Sequence, residues 1–214
     1  MMKKNSTISF IGTGSMGRPM IFKLLDQGYP VSVYDKYKAT SNTVIDAGAI
    51  WKESSKLVAE GADIVFTCLP LPGHVLENML GEDGALAGMK KGATWIDCST
   101  TDYHNTKRIA DIAAQKGIFS LEAPVSNLSH MGVDFGNVSF YVGEIGMGQT
   151  VKLLTNILFY SAMIAWGEVL VLARTHHIPL HFMWDYTKKS QGNYFVTEQM
   201  TPFFLTVAMT VPLL

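Results

Sequence analysis

Near its start the chain runs through Ile8-Ser9-Phe10-Ile11 directly into Gly12-Thr13-Gly14-Ser15-Met16-Gly17. No other stretch restricts the fold so strongly. A short apolar strand, a G-x-G-x-x-G turn, and then Met16, Met20, Ile21, Leu24 and Leu25 at helical spacing make the first half of a βαβ unit. Gly28 ends that helix. In such a turn Gly12 permits the tight reversal, Gly14 lets the backbone approach a pyrophosphate, and Gly17 lets helix and strand pack closely. Thr13, Ser15 and Met16 fill the turn, and the N–H groups at the helix start stabilise phosphate charge.

The same alternation continues. Strands are expected at residues 7–11, 31–34, 63–69, 94–98 and 118–121, with a last extended run at 138–142. Helical segments lie between them at 54–60, 73–80 and 106–115. The strand runs are apolar on both faces, which describes a parallel sheet covered on both sides: an α/β, Rossmann-type, doubly wound fold. At Gly146-Met147-Gly148 the character changes, and residues 150–175 form one long helical pattern. We therefore expect a dinucleotide-binding domain over 1–148 and an all-helical domain over 149–214. The long apolar pattern contains Glu168 and follows Lys152, so a buried helix is expected and not a membrane span.

Asp35 closes the second strand about 20 residues after the turn, where a carboxylate accepts hydrogen bonds from both ribose hydroxyls and repels a 2′-phosphate. That points to NAD, while Lys36 and Lys38 beside it leave NADP open. A methyltransferase binding S-adenosylmethionine also fits a glycine turn followed by an acid. With Lys+Arg 17 against Asp+Glu 18, the net charge of -1 gives no field that draws nucleic acid. Cys68 and Cys98 sit in apolar runs without metal-ligand spacing and read as reduced core thiols of a cytoplasmic protein. The apolar stretch behind Lys3-Lys4 is too short for a secretory signal. His176, His177 and His181 lie at a helix end without a nearby carboxylate in sequence and suit the helix dipole better than a metal.

Further segments carry a family resemblance. Phe10 to Met20 is similar to the opening motif of the β-hydroxyacid dehydrogenase family, which includes the 3-hydroxyisobutyrate dehydrogenases. Cys68-Leu69-Pro70 resembles the end of that family's fourth strand, and Asp97-Cys98-Ser99-Thr100 its D-x-S-T segment. Glu122-Ala123-Pro124-Val125-Ser126 resembles D-A-P-V-S-G-G, and Gly146 to Asn156 resembles G-x-G-x-x-x-K-x-x-N-N. The resemblance implies a hydride transfer between NAD(P) and a small β-hydroxyacid or its semialdehyde. Lys152 would be the catalytic acid/base, and Ser126 and Asn156 would hold the substrate. Leu69, Pro70, His74 and Thr100 would lie beside the cofactor. Independently of any family, removal of a hydroxyl proton suits a partly desolvated lysine, and Lys152 and Asn156 at i, i+4 share a helix face.

The pattern also departs from the family. Asn127-Leu128 replaces Gly-Gly after Ser126, narrowing the substrate loop and adding an amide that fits a carboxylate. Glu122 for Asp reads as a minor change. Val142-Gly143-Glu144 runs straight into the second glycine motif, where the family places another helix and strand, and several C-terminal helices of the family have no counterpart before Leu214. By the resemblance the sheet lacks one helix–strand unit and the all-helical domain is incomplete. The alternative reading is therefore an NAD-binding fragment without turnover. Phe159, Tyr160 and Trp166 are expected in the core or at a homo-oligomer interface.

Overall fold

The computed structural model describes residues 6–125, 140–202 and 204–205. By contacts along the chain it divides into two compact units, residues 1–153 and 154–214. In the first unit the elements run β1 (Ile8–Ile11), α1 (Gly17–Asp26), β2 (Val31–Tyr34), α2 (Lys38–Asp46), β3 (Ile50–Trp51), α3 (Ser55–Ala59) and β4 (Ile64–Thr67). They continue as α4 (Pro72–Leu80), α5 (Ala85–Gly88), β5 (Thr94–Asp97), α6 (Tyr103–Gln115), β6 (Phe119–Glu122) and the start of α7 (Met147–Thr175). All strand pairings are parallel, in the order β3-β2-β1-β4-β5-β6. The sheet is the Rossmann-type arrangement expected, with the chain crossing from β3 to β4 past β1.

β1 lies at the centre and all four of its residues are buried. Ile8 and Phe10 face a cluster with Ile21 of α1, Val31 and Val33 of β2, and Val44 of α2. Ile11 faces the opposite cluster, where Val65 and Trp95 meet Val58 and Ala59 of α3, Val75 and Met79 of α4, Leu86 of α5 and Ile109 of α6. The two faces differ towards β6. The register aligns Phe10, Phe66, Ile96 and Leu121 in one row. Phe10 is fully buried and stacks on Phe66 at 5.4 Å, but Leu121 is 50% exposed and its neighbour Phe119 67% exposed. Among the described residues, no helix covers that corner of the sheet.

Several elements escape the periodicity argument. β3 has two residues, α5 has four, and α2 is rich in Thr, Ser and Asn, so none produces a clear apolar period. Of the extended run expected at 138–142, residues 140–142 form no strand, and Phe140 and Tyr141 stand exposed. Residues 138 and 139 lie outside the described residues. Both cysteines are free, and burial pushes the Cys68 thiol up to about 12.

In the second unit α7 continues to Thr175, followed by α8 (Leu180–Thr187) and α9 (Phe195–Gln199). Trp166, Leu170 and Val196 form its small core, with Phe159, Leu180 and Met183 packed around them. Trp166 Nε1 donates to Thr201 Oγ1 at 2.8 Å. His177 takes a left-handed conformation, φ 57°, where α7 ends. The expectation of a buried helix is corrected here. Only 17% of the most apolar 18 residues of α7 is buried, although its length and composition are those of a membrane-crossing helix. Ile157, Leu158, Tyr160 and Ile164 are exposed, because the helix is apolar around much of its circumference and its small core covers one stripe.

Candidate active site

Parallel strands bring their carboxyl ends to one edge of the sheet, and the loops that leave that edge carry most of the residues singled out in the sequence. After β1 comes the glycine turn. Gly12 has φ +100°, and a Cβ there would meet Cys68 O at 2.3 Å. A Cβ on Gly17 would meet Gly12 O at 2.1 Å, whereas one on Gly14 would meet nothing within 4 Å. Two glycines thus allow the chain to close on itself, and the middle one keeps an open approach to the backbone. The N-cap residue of α1, Met16, makes no side-chain capping bond, which suits N–H groups that receive an anion. These features fit a dinucleotide pyrophosphate.

After β2 comes Asp35. Its Oδ2 accepts from Thr13 N at 2.8 Å and its Oδ1 from Tyr37 N at 3.1 Å. Thr13 is fully buried, and its hydroxyl lies 2.9 Å from that of Ser41 on α2. The acid therefore braces the glycine turn, a role that the sequence pattern does not reveal. After β4 comes Leu69, whose N–H donates to Ser99 Oγ at 2.9 Å, followed by exposed Pro70. His74 lies exposed in the first turn of α4.

After β5 the chain passes through Ser99-Thr100-Thr101, with Thr100 half-buried between two buried neighbours. Asp97, fully buried at the end of β5, accepts from Thr67 Oγ1 at 2.8 Å and from Ser99 N at 3.0 Å through Oδ1. Its Oδ2 has no partner among the described residues, and burial raises its pKa above the usual carboxylate range.

The second glycine motif joins α7 to this edge. Gly146 has φ +102° and a Cβ there would strike the Tyr103 ring at 2.2 Å; a Cβ on Gly148 would press Glu122 at 3.2 Å. Glu122, at the end of β6, accepts from Gly146 N through Oε2 and from Gln149 N at 2.9 Å through Oε1. Its carboxylate thus receives two N–H groups at the start of α7, which corrects its reading as a minor replacement. Gln149, fully buried, accepts from Thr101 N at 2.9 Å and donates from Nε2 to Ser99 O at 3.0 Å. Its loss would leave two backbone groups unpaired, at about 1–3 kcal/mol each. The sequence carries no local signal for Gln149, because its partners Thr101 and Ser99 lie 48 and 50 residues away.

Lys152 follows one turn later, half-buried, and burial lowers its pKa below the usual lysine range. Asn156 lies a further turn along α7 and belongs to the second unit. Ser126 and Asn127 lie outside the described residues.

A six-stranded parallel sheet whose first turn is open to a pyrophosphate defines a Rossmann-type dinucleotide-binding protein. The sequence profile of the NAD binding domain of 6-phosphogluconate dehydrogenase matches residues 7–167. The chain is 31% identical over 228 residues to 2-(hydroxymethyl)glutarate dehydrogenase of Eubacterium barkeri, covering 95% of this chain and 75% of that protein. It is 30% identical over 220 residues to 3-hydroxyisobutyrate dehydrogenase of Pseudomonas aeruginosa, covering 92% and 74%. The crystal structure of 3-hydroxyisobutyrate dehydrogenase from Salmonella typhimurium superposes with a TM-score of 0.84 at 21% identity, over 95% of this chain and 79% of that one, and speaks for the fold alone. The chain belongs to the 3-hydroxyisobutyrate dehydrogenase-like family of NAD(P)-dependent β-hydroxyacid dehydrogenases.

Proposed function

We propose that the protein interconverts a small β-hydroxyacid and its semialdehyde, with Lys152 as the general acid/base. The observation that carries this reading is a half-buried lysine, lowered in pKa by that burial, three residues beyond the hydrogen bonds that tie α7 to the carboxyl edge of the sheet. The backbone of residues 12–17 would hold the pyrophosphate and Asp35 the adenosine ribose, favouring NAD over NADP; Leu69, Pro70, His74 and Thr100 would flank the rest of the cofactor. When bound, the nicotinamide supplies the hydride acceptor or donor. Lys152 Nζ, as the neutral amine, takes the proton from the substrate hydroxyl; as ammonium it returns a proton to the carbonyl oxygen in the reverse direction. Ser126, Asn127 and Asn156 would orient the substrate carboxylate and hydroxyl.

The exposed apolar flank of α7 supports a homo-oligomer. Lys152, Glu168 and Arg174 lie along the same helix and favour a protein neighbour over lipid.

The test combines calorimetric titration of NAD and NADP with turnover of 3-hydroxyisobutyrate and related acids. Saturable binding that favours NAD, with turnover reduced ~10²–10⁴-fold in Lys152→Ala, is the expected result. A folded chain that binds NAD without turning over any such acid would establish the non-catalytic alternative. Binding of S-adenosylmethionine and of neither dinucleotide would remove the dehydrogenase reading.

A further inference from the structure

From the hydrogen bonds of one buried amide we infer that Gln149 is a positioning residue, holding the Ser99-Thr100-Thr101 loop and the Lys152 turn of α7 in a single rigid frame. The inference rests on the reading of Lys152 and Thr100 as members of the reaction centre.

Thr100 and Lys152 come from different parts of the chain, one on the loop after β5 and the other on α7. Hydride transfer tolerates little error in the relative placement of the groups around it. Gln149 spans the two segments. Its Oε1 accepts from Thr101 N and its Nε2 donates to Ser99 O, so one planar amide grips the residues on either side of Thr100. Gln149 is itself the third residue of α7, three before Lys152, and the i, i+3 spacing puts the two side chains in neighbouring positions on the helix. Glu122 secures the other side of that turn by accepting from Gly146 N and Gln149 N. The close approach of Gly146 to the Tyr103 ring, where a Cβ would not fit, leaves the turn little room to shift in that direction. Gln149 is completely enclosed, so water does not replace either bond.

Two variants of the full chain test this, beside Lys152→Ala. Gln149→Leu keeps the volume and removes both bonds. Gln149→Glu keeps the acceptor for Thr101 N, and when ionised it cannot donate to Ser99 O; when protonated it restores both bonds. The first readout needs no turnover: amine labelling of Lys152 as a function of pH, followed by peptide mass spectrometry. In Gln149→Leu the half-reactive pH of Lys152 is expected to move up towards that of an exposed lysine. The second readout is kinetic. Gln149→Leu is expected to lose ~10–100-fold in kcat, with NAD affinity changed less than about threefold. Gln149→Glu should match it at neutral pH and recover relative to the wild-type chain as pH falls.

A lowered melting temperature with unchanged Lys152 reactivity and kcat within about twofold would overturn the inference and leave Gln149 a purely structural residue. If Lys152→Ala itself retains the wild-type rate, the underlying reading of Lys152 fails instead, and the two failures are separately visible.

Discussion

The two units handle apolar surface in opposite ways. In the first, the residues at the heart of the sheet meet helices from their own unit on both faces, and Phe10, Ile11, Val65 and Trp95 disappear from solvent. In the second, the long apolar run of α7 buries a stripe around Trp166 and leaves Leu158 72% exposed. Apolar content therefore states how much surface must eventually be covered, and says nothing of which surface does the covering. The uncovered corner at Phe119 and Leu121 shows the same contrast on a smaller scale within the sheet itself.

The sharpest way to probe the comparison is through the glycine turn. Gly17→Ala forces a Cβ into Gly12 O and is expected to cost about 3 kcal/mol and abolish dinucleotide binding, measured by denaturant unfolding and calorimetry. Gly14→Ala enters open space; it should alter stability by less than about 1 kcal/mol while weakening dinucleotide binding. Equal stability loss from both would break the assignment of separate packing and binding roles.

Next in size is the core of the second unit. Trp166→Phe removes the bond to Thr201 and should cost about 1–2 kcal/mol, seen as faster amide hydrogen exchange in α8 and α9. A smaller effect on stability is expected on the exposed flank of α7. Ile157→Lys should change the unfolding free energy of a single chain by no more than about 0.5 kcal/mol, yet shift the mass in solution downward if copies associate there. A large loss of stability without any change in mass would mean that the flank is covered within one chain.

A comparably small effect belongs to Asp63. The Lys90 ammonium bonded at 2.6 Å, joined by Thr7 N, holds its carboxyl down to about 2. A depressed carboxylate contributes stability above its unfolded value near 4, and that contribution is lost as pH falls through about 2. Both partners are substantially exposed, so solvent screening limits Asp63→Asn to less than about 1 kcal/mol at pH 7. The difference from the wild-type chain should vanish in strong acid, and unfolding curves at pH 7 and pH 2 decide it.

What the sequence discloses follows the range of the interaction. Strands β1, β2, β4, β5 and β6 are legible because apolar periodicity and glycine turns are local signals. β3 and α5 are too short to carry one, and α2 takes its place through polar contacts such as the Thr13–Ser41 pair, which join distant residues. The solvent exposure of α7 is equally illegible, since composition cannot show how much neighbouring surface will be available. Within the site, the glycine turn reads directly, while the roles of Glu122 and Gln149 emerge only when residues 24 to 50 positions apart meet.

Asp35 shows what such a meeting implies for redesign. The carboxylate that would discriminate between the two cofactors already holds Thr13 N and Tyr37 N in place. Selectivity and scaffold are therefore written in the same two oxygen atoms. Exchanging Asp35 for a neutral or basic residue to admit a 2′-phosphate would also release the glycine turn. Affinity should fall for both dinucleotides until a second substitution supplies Thr13 with a new acceptor, an order of events that calorimetry on the single and double variants would resolve.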